Sequence, residues 1–129
     1  MLNENSTALW GRMNIYQMVK HNILWGEMIS GKTKYKQVFL GRLIGRMLLK
    51  NALKDGKVMP RNAPTAPGLI VSANGNVSAE KAKWIAQIEQ LAHFSNSGFV
   101  HPFFGKMTIE QIGHHGYMHI DHHLRQFGC

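Results

Sequence analysis

The stretch over residues 108–128 limits the folds open to this chain more than any other feature. Thr108 and Gln111 have the spacing of a capping box, which marks the first turn of a helix. Residues spaced three and four apart lie on one face of a helix. The residues that follow at these spacings are Ile109, Ile112, Gly116, His119, His123 and Phe127. Gly128 is placed to end the helix. The sequence therefore predicts an amphipathic helix whose apolar face must be covered by other elements.

The other side of this predicted helix is polar. It carries Glu110, His114, Tyr117, Asp121 and Arg125. Asp121 and Arg125 are four residues apart, so their side chains are neighbours on the helix surface and are expected to form an ion pair.

Two more amphipathic helices are predicted, over residues 14–29 and 78–96. Asn14 and Gln17 have capping-box spacing at the start of the first. Its apolar stripe consists of Ile15, Met18, His21, Trp25 and Met28. The inward residues of the second are expected to be Trp84, Ile85, Ile88, Leu91 and Ala92.

Residues 35–55 are also predicted to be helical, although Gly41 and Gly45 each weaken a helix by roughly 1 kcal/mol relative to alanine. Three of the four prolines fall within residues 58–77, so this segment is predicted to be a long crossing loop. No alternating apolar and polar run is long enough to indicate a sheet. The predicted class is all-α.

Composition excludes several kinds of protein. A chain of 129 residues is the size of one domain, residues 1–129. No apolar run approaches the ~18 residues that span a bilayer, and the start, MLNENSTALW, does not resemble a secretory signal. Because the one cysteine, Cys129, has no partner in the chain, an intramolecular disulfide is excluded and a cytoplasmic location is expected.

Histidines are the main candidate functional residues. The chain has eight, and His119 and His123 lie one turn apart on the apolar face of the last predicted helix. His21 lies on the apolar stripe of another helix. Helices facing each other in a bundle bring such residues together, and three imidazoles leave a divalent ion with an open position. Imidazole ligands suit zinc or nickel, and also copper and iron.

The alternative is that these histidines only pack. A buried histidine is more often a hydrogen-bonded core residue than a ligand, and an HxxxH pair is a weak pattern by itself. His114, His115 and His122 are predicted to project elsewhere, with a solvated or supporting role. His93 and His101 are expected in loops or at helix edges.

The C-terminal segment, residues 101–128, reads HPFFGKMTIEQIGHHGYMHIDHHLRQFG. It resembles the signature of the DinB/YfiT-like superfamily, in the branch called DUF1569. Residues 9–21, LWGRMNIYQMVKH, and the basic helix followed by MPRNAPTAP resemble other parts of that branch. The resemblance implies a four-helix bundle in up-down-down-up order with a long crossover. It also implies a divalent-metal site of three histidines, which fall on His21, His119 and His123.

Members of this branch usually have another helix ahead of the WG motif, where here only MLNENSTA precedes Leu9. Three explanations are open: the helix over residues 35–55 takes that place, a second subunit covers the groove, or the chain is a shortened version. We favour a homodimer, because an uncovered apolar groove is unfavourable in a monomer.

A line of basic residues marks the helix over residues 35–55. Arg42, Arg46, Lys50 and Lys54 follow one another at intervals of four. The chain has 15 Lys and Arg against 7 Asp and Glu, so an anionic partner is expected. The line is either a solvated face or a surface that holds an anionic substrate, nucleic acid or an anionic membrane. No nucleic-acid-binding motif is present, so sequence-specific binding of that kind is not expected.

Three functional hypotheses follow. The first is a metal-dependent enzyme of the DinB-like kind, a thiol S-transferase or a hydrolase, acting on a small anionic or thiol substrate. In it, Tyr117 or a non-ligand histidine is a candidate proton donor. The second is a module that binds a metal without catalysis. The third is a basic helical interaction module in which the histidines merely pack.

Overall fold

A buried helix, α1 (Ile15–Ile29), is the element against which most of the chain packs. The computed structural model describes residues 1–54, 56–94, 96 and 98–129. After α1 come α2 (Phe39–Ala52), a 3-10 turn (Pro67–Leu69), α3 (Val77–Leu91), the strands β1 (Val100–His101) and β2 (Gly105–Lys106), and α4 (Ile109–Gln126). The four predicted helices are therefore confirmed, and the described part of the chain is predominantly helical.

Both predicted capping boxes are present. Asn14 accepts from the backbone N–H of Gln17 at the start of α1, and Thr108 does the same for Gln111 at the start of α4. In each pair the glutamine side chain accepts from the backbone N–H of the capping residue. These bonds satisfy N–H groups that an isolated helix end leaves without partners.

The structure corrects the predicted bounds of two helices. α2 begins at Phe39 instead of residue 35, and α3 ends at Leu91 instead of residue 96. The predicted end of α2, Asp55, lies outside the described residues. Helix ends are set by caps and tertiary contacts that periodicity does not reveal.

The prediction of an all-α chain missed a small antiparallel hairpin. Val100 pairs with Lys106, and His101 pairs with Gly105. Gly105 has φ +80°, a conformation that glycine adopts without strain. Strands of two residues give no detectable alternation, so the sequence contains no periodic signal for them.

Among the described residues, the apolar core forms two clusters, and α1 contributes to both. One contains Leu2, Ile15, Met18, Val19, Ile23, Val77, Trp84 and Phe127. The other contains Trp25, Met28, Ile29, Leu49, Leu69, Phe99, Met107 and Ile112. All five residues of the predicted α1 stripe are buried. α1 therefore holds the inward side chains of α3, α4 and the crossing loop in one arrangement.

The predicted inward face of α3 is mostly wrong. Trp84 is buried, but Ile85 and Ile88 are 51% and 40% exposed. Ala92 is exposed and Leu91 is half-buried. Ile109, expected on the inward face of α4, is also exposed, at 54%.

The described helices offer no segment long and apolar enough to cross a membrane.

α2 approaches the hairpin closely through its glycines. A Cβ atom at Gly41 or Gly45 would collide with the carbonyl oxygen of Phe103. Both glycines and Leu49 are buried. The glycines that weaken α2 as a helix therefore permit its packing on the hairpin.

This contact predicts opposite effects for two glycine-to-alanine substitutions. We expect Gly45→Ala to lower the free energy of unfolding by roughly 1–3 kcal/mol, because the added methyl group meets backbone. Gly113 lies exposed in α4 with nothing within 4 Å of an added Cβ. Gly113→Ala should therefore raise the free energy by roughly 0.5–1 kcal/mol. Urea unfolding of both variants measures the difference, and equal effects would contradict the described packing.

Candidate metal centre

Three buried histidines from two helices converge at one point. His21 comes from α1, and His119 and His123 come from α4; none is more than 7% exposed. One ligand nitrogen from each lies within 4.8 Å of the other two. The Nε2 atoms of His21 and His119 are 3.0 Å apart. The structure thus brings together the three residues that the helical stripes selected.

A backbone carbonyl orients His21. Its Nδ1 lies 2.8 Å from the carbonyl oxygen of Leu69, at the end of the 3-10 turn. A carbonyl only accepts, so Nδ1 carries the proton and Nε2 keeps its lone pair. The crossing loop therefore fixes the tautomer of His21 in the form that presents Nε2 to the cluster.

A glutamine orients His123 in the same way. The Oε1 of Gln126 lies 2.9 Å from Nδ1 of His123. The Nε2 of the same glutamine donates to the carbonyl of Trp10 at 2.8 Å. The second bond identifies which end of the amide is the donor, so Oε1 accepts the Nδ1 proton. His123, like His21, keeps the lone pair of Nε2 for the cluster.

An aromatic ring holds His119. Its ring stacks on Trp25, with centroids 4.9 Å apart and an interplanar angle of 20°. The indole reaches this place because Gly116 has no side chain; a Cβ there would lie 2.6 Å from the Cη2 atom of Trp25. Gly116 and Trp25, both on predicted stripes, together set the position of His119.

His119 also has a nitrogen that the protein does not satisfy. Among the described residues, nothing forms a hydrogen bond with its buried Nδ1. If the proton is on Nε2, Nδ1 has an unused lone pair. If it is on Nδ1, the Nε2 lone pair faces that of His21 at 3.0 Å. In the first tautomer Nε2–H of His119 donates to Nε2 of His21, and only the second presents the Nε2 lone pairs of both histidines to a shared Lewis acid. In either tautomer Nδ1 of His119 is a buried polar atom without a partner among the described residues, which costs roughly 1–3 kcal/mol.

Burial favours the neutral form of all three imidazoles. Desolvation lowers the pKa of His21, holds that of His119 well below its usual value, and lowers that of His123 to about 4. Repulsion between the neighbouring imidazoles acts in the same direction. Metal ligation requires deprotonated nitrogen, so the histidines are in the form that binds a cation at neutral pH.

The cluster is compatible with a divalent ion. Tetrahedral zinc with nitrogen ligands at 2.0–2.1 Å separates them by about 3.3 Å, which is close to the observed 3.0 Å between two of the nitrogens. The described cluster contains no carboxylate. Neutral ligands leave the full charge on the ion, and imidazole suits zinc, nickel and copper.

Of the two roles predicted for His115, the structure excludes the solvated one. His115 is buried, not solvated; its ring lies 6.0 Å from Trp25 and 5.4 Å from His101. Burial lowers its pKa to about 4. The spacing contained the signal, since His115 precedes His119 by four residues and shares its face of α4.

His101 is in β1 rather than in a loop or at a helix edge. Its Nδ1 accepts from the backbone N–H groups of Phe103 and Phe104, each at 3.1 Å. Its ring stacks on Phe104 with centroids 4.7 Å apart. Burial lowers its pKa to about 3. His101 thus shapes the hairpin turn against which α2 packs.

The remaining predicted positions fall into two groups. His114 and Tyr117 are exposed on the outward face of α4, so the structure does not bring Tyr117 to the cluster as a proton donor. His93 lies exposed in a turn, as predicted. His122 is half-buried, with its ring 5.8 Å from that of Trp10.

The basic line of the sequence lies on and just beyond α2. Arg42, Arg46, Lys50 and Lys54 are exposed. Within the described residues, the close backbone neighbour of α2 is β2, not the helices that contribute the histidines. The expected role of these residues in binding an anionic substrate stays a prediction.

Fold and site define a predominantly helical protein with a buried three-histidine cluster that could hold a metal ion. The chain belongs to the DUF1569 family, described as a protein of unknown function, since the family model matches residues 1–128. Searches of curated proteins and of solved structures found no match. The predicted resemblance to DUF1569 is confirmed.

Proposed function

We propose that this chain is a metal-binding protein with the bundle of the DinB/YfiT-like superfamily, in which His21, His119 and His123 hold a divalent ion, zinc or nickel. The observation that carries the proposal is the convergence of three buried, neutral imidazoles. Two of them donate a hydrogen bond through Nδ1, which leaves their Nε2 atoms unprotonated. A packing role alone does not require such orientation.

The proposed activity is a metal-dependent thiol transfer or hydrolysis. A bound ion supplies Lewis acidity and lowers the pKa of a water or thiol ligand. The chain supplies three neutral nitrogens and an apolar wall, Trp25, that restricts water on one side of His119. Gln126 and the Leu69 carbonyl keep two imidazoles in the ligating tautomer.

Turnover by the metal-loaded protein tests this activity. The protein, produced without a polyhistidine tag, is stripped with a chelator and reloaded with zinc or nickel. It is then incubated with an activated ester, or with an electrophile and a panel of thiols. A rate above that of the stripped protein supports the proposal. Stoichiometric metal with no rate above that control would leave metal binding without catalysis as the function.

A homodimer is the proposed assembly. α3 has two exposed apolar residues, Ile85 and Ile88, which a second copy of the chain would cover. Light scattering of the purified protein measures this assembly directly, and a monodisperse monomer at high concentration would contradict it.

Gln126 is proposed as a positioning residue for His123. We expect Gln126→Leu to weaken metal affinity by about 10–100-fold, because residues that orient a ligand have effects of that size. Gln126→Glu retains an acceptor for the Nδ1 proton but loses the donor to the Trp10 carbonyl, so its loss of affinity should be smaller than that of Gln126→Leu. Competition with a chelator of known affinity measures both variants.

The control for this substitution is Gln90→Leu, at an exposed position of α3. Its affinity should equal that of the unchanged protein. An unchanged affinity of Gln126→Leu, or equal losses in the Leu and Glu variants, would contradict the positioning role.

A further inference from the structure

One side of α2 presents large apolar residues to solvent. Phe39, Leu43 and Met47 are 74%, 67% and 64% exposed. They are four residues apart, so they form one row along the helix. Leu40, 55% exposed, lies beside this row. An exposed apolar row of this kind marks a surface that contacts another phase or molecule.

A row of cations runs beside the apolar row. Arg42, Arg46 and Lys50 each follow an apolar residue of the row by three positions, so the two sets are neighbours on the helix surface. The ion pairs formed among the described residues use other cations: Lys20, Lys83 and Arg125. We call the six residues of the two rows the outer face of α2.

Packing on the hairpin fixes the direction of this face. Gly41 and Gly45 lie against Phe103, so the opposite side of α2 points away from the rest of the chain. A groove of about 220 Å³ lies at one edge of the outer face. It is lined by Arg42, Arg46 and Lys106, together with Gln37, Gly41, Phe104 and Gly105. Three cations around one groove are suited to a phosphate group.

We propose that the outer face of α2 binds the surface of an anionic phospholipid bilayer. Helices that lie in a membrane interface combine an apolar row, which enters the boundary of the acyl region, with cations at the lipid phosphates. The net charge of +8 strengthens the attraction. Further cations lie on either side of α2 in the sequence: Lys32, Lys34, Lys36, Lys57 and Arg61.

Charge argues against two other occupants. A second copy of α2 on this face would bring Arg42, Arg46 and Lys50 close to their counterparts, and like charges in contact are unfavourable. Nucleic acid would match the cations, but it offers no apolar layer for Phe39, Leu43 and Met47. A bilayer of anionic lipid matches both rows.

Co-sedimentation of the full chain with vesicles tests the proposal. We expect binding to phosphatidylcholine vesicles that contain roughly 30% phosphatidylserine. This binding should weaken as the salt concentration rises, and vesicles of phosphatidylcholine alone should bind little protein. Arg42→Gln with Arg46→Gln should reduce partitioning about 25-fold, since each cation near such a surface contributes about fivefold. Leu43→Ser with Met47→Ser should reduce it at least tenfold (roughly).

Two matched controls carry the same kinds of substitution elsewhere. Ile70→Ser with Ile109→Ser changes exposed apolar residues outside α2 and the proposed dimer face, and Arg12→Gln changes an exposed cation ahead of α1. Both should bind vesicles like the unchanged protein, and far-ultraviolet circular dichroism confirms that each variant is folded.

Several results would overturn the proposal. The first is that the protein does not bind anionic vesicles, and the second is that it binds neutral vesicles equally well. The third is that the control variants lose as much vesicle binding as the α2 variants. Conversion of a dimer to a monomer by the Leu43 and Met47 substitutions, with vesicle binding unchanged, would assign the face to a second copy. Salt-sensitive binding of duplex DNA that needs the arginines but not Leu43 and Met47, without vesicle binding, would assign it to nucleic acid.

Discussion

His119→Ala is expected to weaken zinc binding by more than roughly 100-fold. Structural zinc sites have apparent binding free energies of about 10 kcal/mol or more, shared among three or four ligands, so one ligand contributes about 3 kcal/mol. A factor of ten corresponds to about 1.4 kcal/mol. His119 contacts both other histidines of the cluster, His21 and His123.

The matched control is His114→Ala. His114 has the same side chain and lies on the same helix, but it is exposed on the outward face of α4. Its loss should leave zinc affinity unchanged. Chelator competition with untagged protein measures both variants. Equal zinc affinities of the His119→Ala and His114→Ala proteins would contradict the metal site and indicate that the histidines only pack.

A second variant distinguishes loss of a metal ligand from loss of the folded structure. His119→Ala removes a buried ring that stacks on Trp25, so it can also destabilise the fold. His123→Gln retains a polar side chain near Gln126 and removes the imidazole. It should weaken zinc binding to a similar degree. A folded His123→Gln protein that binds zinc normally would contradict the proposed ligand set.

The metal-free protein is expected to lose stability steeply between pH 6.5 and 4. In the folded chain, burial lowers the pKa of His101 to about 3 and the pKa values of His115 and His123 to about 4. In the unfolded chain they titrate near 6.5. Below pH 6.5 the unfolded chain therefore binds more protons than the folded chain, so the free energy of unfolding falls as the pH falls.

The expected effect is large. Each such histidine lowers the free energy of unfolding by roughly 1.4 kcal/mol per pH unit in that interval, and three lower it by roughly 4 kcal/mol per unit. Small domains have total stabilities of about 5–15 kcal/mol. Acid unfolding should therefore occur well above pH 4. Urea unfolding of the chelated protein at pH 7, 6 and 5 measures the slope.

His115→Phe separates this titration from general acid effects. The phenylalanine ring takes no proton. The free energy of unfolding should therefore fall less steeply as the pH falls, with a slope smaller by roughly 1.4 kcal/mol per pH unit. His114→Ala, which changes an exposed residue, should retain the original slope. Unchanged stability from pH 7 to pH 5 would show that the buried histidines do not determine acid sensitivity.

Local sequence rules predicted the helices well where caps and buried stripes coincide. Asn14 and Gln17 at the start of α1, and Thr108 and Gln111 at the start of α4, formed the expected bonds. α3 was predicted poorly on its inward side, because only Trp84 of its candidate residues is buried. Periodicity detects a helix, but the face that is covered depends on which neighbours are present.

The site shows the same division. The i, i+4 spacing of His119 and His123 and the apolar position of His21 were sufficient to select the three residues that converge. The partners of these residues were not predictable. Leu69 lies 48 positions from His21, and no local rule connects a carbonyl in a crossing loop with a particular imidazole.

The sequence by itself determined the four helices, the family and the three histidines, because helical spacing and caps act over a few residues. Only the tertiary structure decided that the Leu69 carbonyl and Gln126 orient two of the imidazoles. It also decided that α2 packs by its glycines and turns its apolar and basic rows outward. Such contacts join residues far apart in the chain, and their partners are fixed only when the whole core packs.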